Sequence, residues 1–127
     1  MKLIVALSIA LGLANGASAQ APAKKLAPPV IWAGCAGALT AKTMRLKASE
    51  NPDDRMMVPL TSQMGRHALA QAKRVENPDK LTEAQIDGLA MASASSYYKD
   101  LAQNPAKVPE FEKAVTNCMD AISKLPG

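Results

Sequence analysis

Apolar residues recur at three- and four-residue steps in four stretches of this chain, with polar residues between them, and the periodicity predicts four amphipathic helices. From Val30 to Leu46 the stripe is Trp32, Cys35 with Ala36, Leu39, Thr43 and Leu46, while Lys42, Arg45 and Lys47 take the outer face. The second helix is predicted from about Leu60 to Val75, with Leu60, Met64, Ala68, Ala72 and Val75 facing in, and Pro59 separates it from a short helical turn over Pro52 to Met57. The third opens on Leu81-Thr82-Glu83-Ala84-Gln85, where Thr82 and Gln85 have capping-box spacing, and its stripe is Ile86, Ala90, Ala94, Tyr97 and Leu101. The fourth starts at Pro109, carries Glu110 and Glu112 near the positive end of its dipole, and buries Phe111, Val115, Cys118, Ile122 and Leu125 before Pro126-Gly127 stops it.

The connections share a chemistry. Glu50-Asn51-Pro52-Asp53 recurs as Glu76-Asn77-Pro78-Asp79, and Asn104-Pro105 marks a third place, at intervals of 26 and 27 residues. Proline disfavours a helical residue before it and suits the first helical position, and asparagine caps, so each pair ends one helix and starts the next. The apolar positions between the marks do not align, which makes this shared turn chemistry and not a solenoid repeat. The expected fold is all-α, an up-down four-helix bundle.

Composition supports helices over sheet. Apolar residues make up 48% of the chain, yet only four residues are aromatic, Trp32, Tyr97, Tyr98 and Phe111, and much of the rest is alanine, which favours helix and lets helices approach closely. At the N-terminus Lys2 precedes an apolar run from Leu3 to Leu13, and Asn15-Gly16-Ala17-Ser18-Ala19 follows with the small residues of a cleavage site. Residues 1–19 therefore read as a secretory signal peptide, which places the mature protein in the periplasm. Residues 20–29, rich in alanine, proline and lysine, read as a flexible leader, and 30–127 as the helical domain. The apolar run is too short to cross about 30 Å of hydrocarbon, so stable membrane insertion is not expected. The formal charge of +4 falls to +3 without Lys2, and its basic residues are dispersed without aromatic interleaving, which argues against nucleic acid as a partner.

Export also bears on the two cysteines, Cys35 and Cys118, because compartments outside the cytoplasm are oxidising. Cys35 lies about one turn into the first helix and Cys118 about two turns before the end of the last. If those helices run antiparallel, the sulfurs fall at nearly the same height, and a Cys35–Cys118 disulfide is expected. Trp32-Ala33-Gly34-Cys35 also has the look of the small-residue box before an acylated lipoprotein cysteine, but Lys24, Lys25, Pro28 and Pro29 interrupt the apolar run that such a box follows.

No residue constellation names a reaction. His67 is the only histidine and no serine or carboxylate is placed beside it by the sequence, so a non-catalytic protein without a cofactor is expected. Met44, Met56, Met57, Met64, Met91 and Met119 suit either core filling or soft-metal binding; the metal alternative is copper or haem handling through Met64 and His67, three apart on one helix face. No paired-cysteine haem attachment motif occurs. Leu81-Thr82-x-x-Gln85 resembles the Leu-Thr-x-x-Gln motif of small periplasmic stress chaperones of the Spy and CpxP type, a resemblance that implies a helical, exported holder of misfolded clients; the capping box explains the same five residues. Tyr97 and Tyr98 are adjacent, about 100° apart on a helix, so both cannot face the core, and Tyr98 is the candidate partner contact. The expected function is a small exported binding or accessory protein, chaperone-like or inhibitor-like, acting on another exported protein.

Overall fold

The computed structural model describes residues 26–126. Among them all regular structure is helical: α1 (Pro28–Ala48), α2 (Pro52–Met56), α3 (Val58–Arg74), α4 (Glu83–Gln103), a 3-10 turn (Pro105–Lys107) and α5 (Val108–Ser123). The signal reading over 1–19 and most of the leader lie outside the described residues. No helix among those described is long and apolar enough to cross a membrane.

The first helix begins at Pro28, two residues before the predicted start at Val30. Both prolines occupy the first turn, where no intrahelical N–H is needed, and Pro29 is buried. The end of the alanine-proline segment that reads as leader is thus part of α1.

Burial on α1 is not confined to one stripe. Ala33, Ala36, Gly37, Ala38, Leu39, Ala41, Thr43 and Leu46 are all buried, which covers most of the helix circumference. Such a helix must be central, and α1 packs along both α3 and α4 and more sparsely on α5, whereas α3 and α4 scarcely touch each other. Chain direction alternates along the sequence. Thr61 of α3 meets Thr43 while Gly65 lies against Leu39, so α3 runs antiparallel to α1. On α4, Ala90 and Ser93 lie beside Gly37, while Tyr98 and Ala102 reach Arg45 to Ser49, so α4 runs parallel to α1. On α5, Lys42 Nζ donates to both carboxylate oxygens of Glu112 at 2.8 and 2.7 Å, and Cys35 is disulfide-bonded to Cys118 with the Cα atoms 5.5 Å apart. Of the five helices α1 is the central one, and it is buried over more than the single stripe that a helix of a regular four-helix bundle turns toward a shared core.

The inward face of α3 is also rotated from the predicted one. Thr61, Gly65, Ala68 and Ala72 are buried, while Leu60 is 44% exposed and Met64 only half-buried. Small residues win because α3 lies close on α1: a Cβ at Gly65 would stand 3.6 Å from the Cβ of Leu39. Burying Thr61 is feasible because its hydroxyl has a partner. The Thr43 and Thr61 hydroxyls share a hydrogen bond of 2.8 Å, and each also reaches a carbonyl of its own helix, Thr43 that of Leu39 at 2.8 Å and Thr61 those of Met57 and Val58 at 3.3 Å.

The remaining stripes fall where the periodicity puts them. Ile86, Ala90, Ala94 and Leu101 of α4 are buried, and Tyr97 is half-buried with its ring 5.3 Å from that of Phe111 on α5. Phe111, Val115 and Ile122 complete that side of the core. The capping box forms: Thr82 Oγ1 accepts from the Gln85 N–H at 3.1 Å, and Gln85 Oε1 accepts from the Thr82 N–H at 2.8 Å. Asn77 organises the connection before it, accepting from the Leu81 N–H at 2.9 Å and donating to the Leu81 carbonyl at 2.8 Å.

Candidate binding cleft between α3 and α4

Because α3 and α4 each lie on α1 without closing on one another, they leave an open cleft of about 730 Å³ with α1 as its floor. Ala36, Thr40 and Thr43 form the floor, Gly65 and Leu69 the α3 wall, and Ala90 and Ala94 the base of the α4 wall. Three larger apolar side chains rise above these small residues and remain in solvent: Met91 is 73% exposed, Met44 40% and Tyr98 36%. The hydroxyls of the floor are already used, since Thr40 Oγ1 donates to the Ala36 carbonyl at 2.8 Å and Thr43 is engaged as described. The cleft is thus apolar at its base, with no free polar group there that demands a polar ligand.

Charge is concentrated on the rim. Asp87, the single acid of the lining, lies 2.8 Å from Lys73 of α3, and Glu83 approaches the same ammonium at 3.9 Å, a link that ties the end of α3 to the start of α4. The Asp87 hydrogen bond and the two nearby carboxylates outweigh partial desolvation and raise the Lys73 pKa above its ordinary value of 10.5. Lys47, Arg66 and Lys99 also line the cleft, are exposed, and make no ion pair among the described residues. Arg66 only donates to Ser62 Oγ, at 2.8 Å. Uncompensated charge on the rim is positive.

Tyr98 stands at the far end of this cleft and also lines a smaller, more polar depression of about 380 Å³ with Arg45, Leu46 and Asp54, so it forms the wall between the two. Met64 and His67 are placed differently. Met64 packs against the core and His67 is exposed, and neither lines the cleft. Among the described residues no group of three or more His, Cys, Asp or Glu is positioned to hold a metal ion. The sequence alone leaves Met44 and Met91 between core filling and soft-metal binding. Their signal was position: each sits one residue beyond a stripe residue, Thr43 or Ala90, where a core methionine would not fall.

In comparisons with known proteins, no family model, no curated protein and no solved structure matches this chain.

Proposed function

We propose that this is an exported, non-catalytic binding protein that holds a segment of another exported protein in the cleft between α3 and α4, as an accessory, chaperone-like or inhibitor-like factor. The observation that carries this reading is the grouping of Met44, Met91 and Tyr98, all exposed, over one small-residue floor. Contiguous exposed apolar surface is a recurrent mark of an interaction site, methionine adapts its shape to varied partners, and tyrosine offers an apolar ring with a polar tip. In the same reading, the up-down arrangement expected from the sequence is a bundle opened along α1, with the α3–α4 seam given over to the ligand. Cleaved export through residues 1–19 supplies the oxidising compartment that the Cys35–Cys118 bond needs.

Site-specific photo-crosslinking tests it. A photoreactive residue in place of Met91 is expected to capture protein partners in the exported fraction, whereas the same residue in place of Asn117, exposed on α5, is not. Equal capture at both positions, or none at Met91, refutes the cleft as the binding surface.

A further inference from the structure

We infer that the occupant of the cleft is an amphipathic α-helix of the partner protein with an acidic polar face. The inference rests on the proposed binding function and specifies its ligand. Secondary structure follows from hydrogen bonding. The cleft is bounded by three helices whose backbone groups are paired internally, and the hydroxyls of its floor are bonded to α1 carbonyls. It offers no sheet edge, so an extended segment laid on this base would lose the water bonded to its own N–H and C=O groups without replacement. A helix brings those bonds with it and presents side chains alone. The α1 side of the cleft, floor and rim together, runs from Ala36 to Lys47, ~16 Å at 1.5 Å per residue, which matches about three helical turns and hence an apolar stripe at i, i+3 or i+4, and i+7.

The charge follows from the rim. Lys47 and Lys99 lie at the end marked by Tyr98, and Arg66 lies on the α3 wall. The only lining carboxylate is held by Lys73, so nothing in the described chain balances these three cations. A ligand helix whose outward edges carry Asp or Glu meets complementary charge on both walls, and one carrying Lys or Arg meets repulsion. Rim charges of this exposed kind contribute more to partner choice and encounter rate than to affinity, and are screened by salt. Shared chemistry also makes an anionic amphiphile a competing occupant, which the test separates.

Three designed peptides of equal length serve as probes for the intact oxidised protein: an amphipathic helix with Glu on its polar edges, the same helix with Lys at those positions, and a scramble of the acidic one without an apolar stripe. By fluorescence anisotropy at low salt the acidic helix is expected to bind about tenfold or more tighter than the basic one, with the difference shrinking at 0.5 M salt, and the scramble not to bind. The triple variant Lys47→Glu, Arg66→Glu, Lys99→Glu, all exposed positions, is expected to reverse the preference while circular dichroism and the thermal melt stay near those of the parent. Equal binding of both helices, or a preference for the basic one in the parent, overturns the acidic-helix assignment and leaves the cleft as a protein-binding surface. Binding of the scramble as tight as that of the helix overturns the helical assignment. No binding of any peptide, together with saturable binding of laurate that Met91→Asp abolishes, overturns both this inference and the proposed function.

Discussion

Gly37 carries the close approach of α4 to α1. A Cβ there would overlap the Ser93 side chain and stand 2.9 Å from the Ala90 carbonyl oxygen, on a helix face that cannot withdraw because α1 is packed on other sides. Gly37→Ala is expected to cost about 1–3 kcal/mol by overpacking. Gly34→Ala, three residues earlier with nothing within 4 Å, is expected to be neutral or to stabilise by up to about 1 kcal/mol through helix propensity. Urea denaturation of the two variants checks the contrast. At the cleft, Tyr98→Ala removes a side chain already 36% exposed, so the loss of stability is expected to stay below about 1 kcal/mol while peptide binding weakens at least severalfold. A loss of stability with binding intact would make Tyr98 a cover over the seam of α1 and α4. The exposure of Tyr98 was legible in the sequence because two adjacent tyrosines on a helix cannot share one face. Thr61 was not, since a threonine reads as polar until its hydroxyl is seen bonded to Thr43, and Leu60 beside it offered the stronger apolar signal.

Along each helix, legibility depended on how many neighbours the helix has. For α4 and α5, apolar periodicity picked out the buried residues, and the capping box at Thr82 and Gln85 formed as its spacing implied. For α1 the periodicity described only part of the buried surface, because small residues such as Gly37, Ala38 and Ala41 are buried by close approach and give little hydrophobic contrast. The cap carries its own prediction: Thr82→Ala is expected to cost about 1 kcal/mol and to fray the first turn of α4, measurable by amide exchange. Lys73, which joins α3 to α4, sets a pH dependence. Its pKa is raised in the folded chain, first by the hydrogen bond to Asp87, so the stabilisation is fully present below the ordinary 10.5 and disappears as pH rises through the higher folded value. Thermal melts between pH 9 and 12 should therefore show a decline that Asp87→Asn reduces. An identical profile in that variant would remove the link from the account.

At the scale of the whole molecule, the crosslink and the proposed binding cleft fall on different parts of the chain. The disulfide spans 83 residues and fastens α5, which otherwise meets α1 and α3 over a modest surface, to the central helix. The cleft is lined by α1, α3 and α4 alone. A link over so long a loop restricts the unfolded chain strongly, and losing such a bond from a small domain costs about 2–5 kcal/mol, enough to lower the Tm by about 10 °C or more. The double variant Cys35→Ser, Cys118→Ser is accordingly expected to melt much earlier, with the increase in exchange greatest in α5, because the lost restraint acts there first. Well below its own Tm, however, the same variant is expected to bind the acidic helical peptide within about twofold of the parent, since no residue of α5 contributes to floor, wall or rim. Binding lost in proportion to stability would instead mean that α5 sets the spacing of α3 and α4 through the core contacts of Phe111 and Val115, and that the disulfide holds the cleft open as well as the fold together. Parallel melting and anisotropy measurements on this one variant distinguish a cleft supported by α1 from a cleft that depends on the crosslink.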